Sequence, residues 1–171
     1  MEIQVYADRW LVYDDRTLPC ALGAGGVTAD KREGDKATPV GRFPLRRVLF
    51  RPDRVTRPAT DLPVAPMAPD DGWCDDPDDR LYNQPVKRPY AASHESLWRD
   101  DHVYDVILVL GHNDAPPVPG AGSAIFLHVA RDGFRPTEGC VALRLDDVLA
   151  LLARCGPSDA IRIHAEPLQG N

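Results

Sequence analysis

His128 and Cys140 lie twelve positions apart and are the side chains in this sequence whose types and spacing best suit covalent chemistry. A free thiol, with a pKa of about 8.5, is only partly ionised at neutral pH, whereas a cysteine beside a histidine can lose its proton and attack a carbonyl carbon. The turn pair Asp132-Gly133 allows the chain between them to fold back. The spacing is therefore compatible with a nucleophilic Cys140 that has His128 as its base.

The residue before the cysteine, Gly139, fits the same chemistry. A glycine has no Cβ to obstruct a substrate, and the backbone N–H groups of Gly139 and Cys140 can point at the oxyanion that forms after attack. The residue types alone also fit a second interpretation, because a histidine at a strand end and a cysteine in an apolar run are common core residues. The surrounding sequence has to decide between the two.

Two segments around these residues resemble the signature of the L,D-transpeptidase (YkuD-like) catalytic domain family. In that signature a histidine on a strand is followed, after a loop, by Ser/Thr, any residue, Gly, Cys and an apolar residue, and residues 122–128 and 136–143 have this pattern. Residues 38–43, Thr-Pro-Val-Gly-Arg-Phe, are similar to the family's Thr-Pro-x-Gly-x-Phe turn. The resemblance covers residues 1–50 and 103–165.

The resemblance implies a mainly β fold, a β-sandwich or barrel with one or two short helices, and an enzyme acting on peptidoglycan stem peptides. Carried over position by position, it implies that Cys140 forms an acyl-enzyme, that His128 is the base, that Gly139 and Cys140 donate to the oxyanion, and that Thr137 shapes the site. An amine then releases the acyl group, and no cofactor or metal takes part. The implied location is the periplasm or cell envelope, although the opening residues have no export signal, which leaves the cytoplasm as an alternative.

The sequence differs from the family pattern at two places near the cysteine. Glu138 stands where many members carry a second histidine, and a carboxylate there can tune His128 or face solvent. An arginine often follows the apolar residue in the family, whereas this chain has Val141-Ala142 and places Arg144 two positions later. Glu138 and Arg144 are therefore candidate substrate contacts. Because of these two differences, the family's substrate preference does not carry over to this chain.

Three further residues are candidates for substrate binding. His112 and Asn113 follow an apolar strand at 103–110, where they either line the cleft or form a turn. Trp73 belongs to a segment, residues 51–102, that is rich in proline and aspartate and that also contains several aromatic residues. Because disordered spacers are poor in aromatic residues, we expect a packed flap there. Its aspartates lack the spacing of a calcium loop.

Length and composition limit the classes of partner. The 171 residues, 43% of them hydrophobic, predict a single catalytic domain over residues 1–171 with its flap at about 51–102. The net charge of −6 gives no general attraction to nucleic acid or anionic lipid, and no apolar run suits a membrane span. The four cysteines form no CxxC pair, so they are expected to be unpaired. The oligomeric state is not predicted.

The elements that must position His128 and Cys140, which we call the dyad, are mostly strands. Apolar and β-branched runs predict a hairpin at 3–13, a strand at 43–50, buried strands at 103–110 and 124–129, a short apolar segment at 140–143 and a final strand at 160–164. A helix of about ten residues is expected from Leu145, with Asp146 and Asp147 in its first turn and Arg154 in its last.

Three functions are compatible with this sequence. The first is an acyltransferase that cleaves an L,D peptide bond in a stem peptide and passes the acyl group to an amine. The second is an L,D-carboxypeptidase with the same dyad and water as acceptor. The third is a catalytically silent module that binds a partner through residues 73–98.

Overall fold

The structure, a computed structural model, describes residues 1–169. Its only α-helix within this range is α1 (Leu145–Leu152), and a 3-10 turn covers Asp132–Phe134. The strands are β1 (Glu2–Tyr6), β2 (Trp10–Tyr13), β3 (Arg16–Pro19), β4 (Val27–Thr28), β5 (Thr38–Pro39), β6 (Gly41–Phe50), β7 (Val64–Pro66), β8 (Asp71–Cys74), β9 (Pro85–Lys87), β10 (His94–Ser96), β11 (Val106–Leu110), β12 (Phe126–Val129), β13 (Val141–Leu143) and β14 (Ala160–Ile163).

The main sheet has the order β13-β12-β11-β6-β14-β1-β2-β3, and β7 pairs with β6. Its two ends meet just after β3, where Ala21 N–H donates to Ala142 O at 2.8 Å and Ala142 N–H donates to Ala21 O at 2.9 Å. The sheet therefore nearly closes into a barrel, a form that leaves few unpaired strand edges. The mainly β fold expected from the sequence is confirmed.

The apolar run of β11 is buried along its whole length because both faces of the strand are covered. Alternate side chains point to opposite faces of a strand. Val106, Leu108 and Leu110 pack into the core between the sheet and α1, whereas Ile107 and Val109 pack into a second apolar cluster under the proline-rich segment. This second cluster also contains Cys140, so it reaches the candidate nucleophile.

Residues 51–102 pack against the sheet. Within them, β8, β9 and β10 form a separate three-stranded antiparallel sheet, which we call the inserted sheet. Trp73 of β8 lies edge-on to Phe126 of β12, with ring centroids 5.0 Å apart, and its Nε1 donates to Asn83 Oδ1 at 3.0 Å. The inserted sheet is therefore fixed on the strand that carries His128.

Several element boundaries differ from the sequence-based expectations. The strand expected from 103 begins at Val106, because residues 103–105 form a turn in which Asp105 N–H donates to His102 O. The strand expected from 124 begins at Phe126, since Ala124 has a φ of 53° that a strand does not allow. The strand expected to reach 164 ends at Ile163.

The helix α1 is shorter than expected, with eight residues instead of about ten. Arg154 therefore lies beyond its last turn, where the guanidinium contacts Asp14 at 3.2 Å. The buried residues Val148, Leu151 and Leu152 hold the helix on the core. No helix among residues 1–169 is long and apolar enough to cross a membrane.

Candidate active site

The parallel pairing of β12 and β13 places His128 and Cys140 on the same face of the sheet. His128 lies beside Ala142 in the register, and Phe126 and His128 point to one face because they are two residues apart. Cys140 joins Phe126 in the second cluster, while Val141 points into the main core. Cys140 and His128 line one open cavity of about 320 Å³.

Cys140 is held as a neutral thiol. Its Sγ accepts a hydrogen bond from Phe126 N–H at 3.4 Å and donates one to Ala124 O at 3.2 Å. Burial raises the pKa of the Cys140 thiol to about 12, and the negative charge of Glu95 acts in the same direction. A resting thiolate is therefore disfavoured, and any attack on a carbonyl needs a base that removes the thiol proton as the bond forms.

His128 has the protonation state of such a base. Its Nδ1 lies 2.9 Å from Val129 O, and because a carbonyl only accepts hydrogen bonds, Nδ1 carries the ring proton. Burial lowers the pKa of His128 to about 4, so the ring is neutral at pH 7 and Nε2 keeps its lone pair. The ring is also fixed by Tyr104, which lies edge-on at a centroid distance of 5.3 Å.

Thr137 organises the backbone before the cysteine. Its buried Oγ1 donates to Cys140 O at 2.7 Å and accepts from Gly139 N–H at 3.1 Å. The Gly139 N–H is thus already bonded, which makes the Cys140 N–H the more available of the two expected oxyanion donors.

The backbone conformation at Gly139 suits glycine alone. Its φ is 132°, a conformation that side chains rarely adopt, and an added Cβ would lie 2.9 Å from Ala37 O. The missing Cβ therefore gives room to the Ala37 carbonyl, and access for a substrate at Gly139 stays a prediction.

The segment at residues 20–24 supports this loop through backbone hydrogen bonds. Thr137 N–H donates to Leu22 O, and Ala24 N–H donates to Thr137 O, both at 2.9 Å. Gly23 N–H in turn donates to the buried Thr38 Oγ1 at 2.9 Å. Thr38, from the Thr-Pro-x-Gly-x-Phe turn, is thereby connected to the loop that carries the candidate nucleophile.

Charged side chains of both signs line the cavity beside the dyad. Two of the carboxyl groups come from residues 51–102, Asp75 just after β8 and Glu95 on β10. The other charged residues that line the cavity are Glu33, Lys36, Arg99, Arg131 and Glu138. Glu95 and Tyr104 were not among the predicted site residues, because the sequence of residues 93–100 fits a packed corner as well as a substrate wall, and Tyr104 falls in a predicted buried strand.

Comparison with known proteins identifies the family. The sequence model of the YkuD L,D-transpeptidase catalytic domain matches residues 3–163. This chain belongs to that family. Among solved structures, the helical cell shape determining protein Pgp2 from Campylobacter jejuni matches with 15% sequence identity and a TM-score of 0.46. The match covers 98% of this chain and 48% of the Pgp2 chain, so the chain spans about half of that length. The comparison with curated proteins found no significant match.

The remaining predicted substrate contacts of this L,D-transpeptidase family member lie in different surroundings. Thr137 and Glu138 line the cavity with the dyad. His112 Nε2 is 3.0 Å from Ala121 O, and Asn113 Nδ2 donates to Gly122 O at 2.9 Å, so both hold the loop that leads to β12. Neither His112 nor Asn113 lines the cavity.

Arg144 and Trp73 also lie outside the cavity lining. Arg144 precedes α1 and contacts Asp147 at 3.1 Å, while Trp73 is buried in the second cluster. Substrate contacts by these residues stay predictions.

The described cysteines are all free. Among residues 1–169, no three His, Cys, Asp or Glu side chains are grouped so that they could hold a metal ion.

Proposed function

We propose that this chain is a cysteine acyltransferase that cleaves an L,D peptide bond in a peptidoglycan stem peptide and transfers the acyl group to an amine. The observation that carries the proposal is the shared cavity of Cys140 and His128, with His128 in the tautomer that leaves Nε2 able to accept a proton. Membership of the L,D-transpeptidase family supports the substrate class.

The first half-reaction acylates the cysteine. Cys140 Sγ attacks the carbonyl carbon of the L,D bond while His128 Nε2 takes the thiol proton. The oxyanion that forms accepts a hydrogen bond from the Cys140 N–H, and the Thr137 hydroxyl keeps this backbone segment in place. The C–N bond then breaks, and the leaving amine takes the proton from His128.

The second half-reaction releases the acyl group. A neutral amine of a second stem peptide attacks the thioester carbon, the C–S bond breaks, and Cys140 regains a proton. Four acidic residues, Glu33, Asp75, Glu95 and Glu138, line the cavity beside the cations Lys36, Arg99 and Arg131, so the lining offers carboxyl groups that can pair with a group arriving as an ammonium ion.

The test is product analysis with a synthetic stem peptide that contains the L,D bond. The wild-type protein should cross-link this donor to a second stem peptide that carries a free side-chain amine, and Cys140→Ala should not. A Cys140→Ala protein that cross-links at the wild-type rate would refute the proposal. If donor cleavage continues but no cross-linked product forms when the amine is present, water is the acceptor and the protein is a carboxypeptidase.

A further inference from the structure

Glu95 is the member of the inserted sheet that reaches the candidate active site. It pairs with Trp73 across β10 and β8, and its carboxyl group lines the cavity that also contains Cys140 and His128. Glu95 Oε1 accepts a hydrogen bond from the Tyr104 hydroxyl at 2.8 Å. The carboxyl group is thus fixed in position before any substrate binds.

Tyr104 connects this carboxyl group to the dyad. Its side chain is buried, and its ring lies edge-on to His128 at 5.3 Å and to Phe126 at 5.9 Å. Arg99, which follows the inserted sheet, lies over the same ring at 5.4 Å. The hydroxyl of Tyr104 therefore holds Glu95 while its ring holds His128.

The environment of Glu95 favours a carboxyl group that gains and loses a proton near neutrality. Burial raises the pKa of Glu95 to about 7, and the hydrogen bond from Tyr104 lowers it in part. The charged groups that face it are Asp75 and Glu138, which raise this pKa, and Arg99, which lowers it. Around the same cavity also lie Glu33, Lys36 and Arg131, together with the titratable groups of the dyad.

The two candidate bases of the cavity differ in strength. Burial lowers the pKa of His128 to about 4, since a positive charge on the ring is poorly solvated there. His128 is suited to take the thiol proton and to pass it at once to the leaving amine. A carboxylate that titrates near neutrality is better suited to accept a proton from an incoming nucleophile.

Resting on the proposed function, we propose that Glu95 is the general base of the second half-reaction. The acceptor nitrogen, or a water oxygen, forms a bond to the thioester carbon while the Glu95 carboxylate takes one of its protons. The C–S bond then breaks, and the Cys140 sulfur leaves with the electron pair. Glu95 then passes its proton to this sulfur. No outside oxidant, reductant or metal is needed.

The proposal gives residues 51–102 a part in the chemistry. These residues lie between the two signature segments at 38–43 and 122–143, and they contribute Asp75, Glu95 and Arg99 to the lining of the cavity of the dyad. The contact of Trp73 with Phe126 and the hydrogen bond of Glu95 with Tyr104 are two independent attachments of the inserted sheet to this site.

The test separates the two half-reactions in the full chain. The enzyme is mixed with the synthetic stem-peptide donor, and the acyl-enzyme is followed by intact-protein mass spectrometry before and after a second stem peptide with a free amine is added. In Glu95→Gln, the amide oxygen still accepts from Tyr104, but the group cannot take a proton. We expect acyl-enzyme to accumulate in this variant and its discharge to slow by about 100-fold.

A second measurement uses the wild-type protein, so that it does not depend on the folding of the variant. Its discharge rate, divided by the fraction of the acceptor amine that is neutral at each pH, should rise with pH and level off above about 7, as Glu95 loses its proton. In Tyr104→Phe the midpoint should move to higher pH, because the hydrogen bond that lowers this pKa is lost. A purely structural role of Glu95 would not move this profile.

The outcomes distinguish this inference from the proposed function. If Glu95→Gln discharges its acyl-enzyme at the wild-type rate, or if the wild-type profile shows no rise near pH 7, Glu95 is not the base. If the wild-type protein forms no acyl-enzyme with the donor, the proposed function fails and the role of Glu95 fails with it.

Discussion

The hydroxyl of Thr137 donates a hydrogen bond of 2.7 Å to the carbonyl oxygen of Cys140. The same Oγ1 accepts from Gly139 N–H, so a single buried atom satisfies two backbone groups beside the nucleophile. Because a buried backbone group without a partner destabilises the folded state, Thr137 fixes the backbone whose N–H is proposed to bind the oxyanion.

Thr137→Val should therefore lower both stability and activity. Valine has the shape of threonine but leaves the Cys140 carbonyl and the Gly139 N–H without their partner, so the free energy of unfolding should fall by about 2 to 4 kcal/mol. Acylation should slow as well. Urea unfolding and the rate of acyl-enzyme formation measure the two effects. Thr137→Ser is the matched control, and a valine variant as stable and active as the serine variant would contradict this role.

Gly139→Ala should destabilise the protein more than an alanine at Gly133. Both glycines have positive φ, but the Cβ at 139 would lie 2.9 Å from Ala37 O, whereas nothing lies within 4 Å of the Cβ at 133. We expect a loss of about 3 kcal/mol at 139 and about 1 kcal/mol at 133. Equal losses in thermal or urea unfolding would show that the close approach to Ala37 is unimportant.

Alkylation of Cys140 in the free protein should be slow and should depend strongly on pH. Since burial raises the thiol pKa to about 12, the thiolate fraction should grow tenfold per pH unit between pH 7 and 9, without the plateau of a thiol whose pKa is about 8.5. Peptide mapping after iodoacetamide treatment separates this site from the other buried cysteines. A plateau below pH 9 would mean that the thiol is activated before substrate binds.

The pH dependence of stability should differ between the wild-type protein and Glu95→Gln. The pKa of Glu95 is raised from 4.5 to about 7 in the folded state, so the folded protein holds a proton that the unfolded chain has already lost in this window. The free energy of unfolding of the wild type, relative to the variant, should therefore fall from pH 4 to pH 8, by up to about 3 kcal/mol. A constant difference across that range would contradict the raised pKa.

The sequence predicted the parts of the site that lie close together along the chain. His128, Thr137, Gly139 and Cys140 fall within one strand and the loop after it, so their types and spacing already indicate the chemistry. The cavity that His128, Thr137 and Cys140 share follows from the pairing of β12 with β13.

The parts that could not be predicted depend on contacts between distant segments. Glu95 reaches the dyad only because Trp73 and Tyr104 attach the inserted sheet to β12, and no local pattern encodes that packing. The need for Gly139 likewise depends on the carbonyl of Ala37, about a hundred positions earlier. The end of α1 was misplaced because Arg154 was taken as a helix-terminal cation, whereas it contacts Asp14 across the fold.

The most direct test of the account is the mass of the intact protein after brief reaction with the synthetic stem-peptide donor. We predict an added mass equal to the donor acyl group, mapped by proteolysis to Cys140, and no such addition in Cys140→Ala. The adduct should also form far more slowly in His128→Asn, which lacks the basic ring nitrogen. Wild-type protein that processes the donor without any adduct on Cys140, or a Cys140→Ala protein that processes it equally fast, would contradict the account.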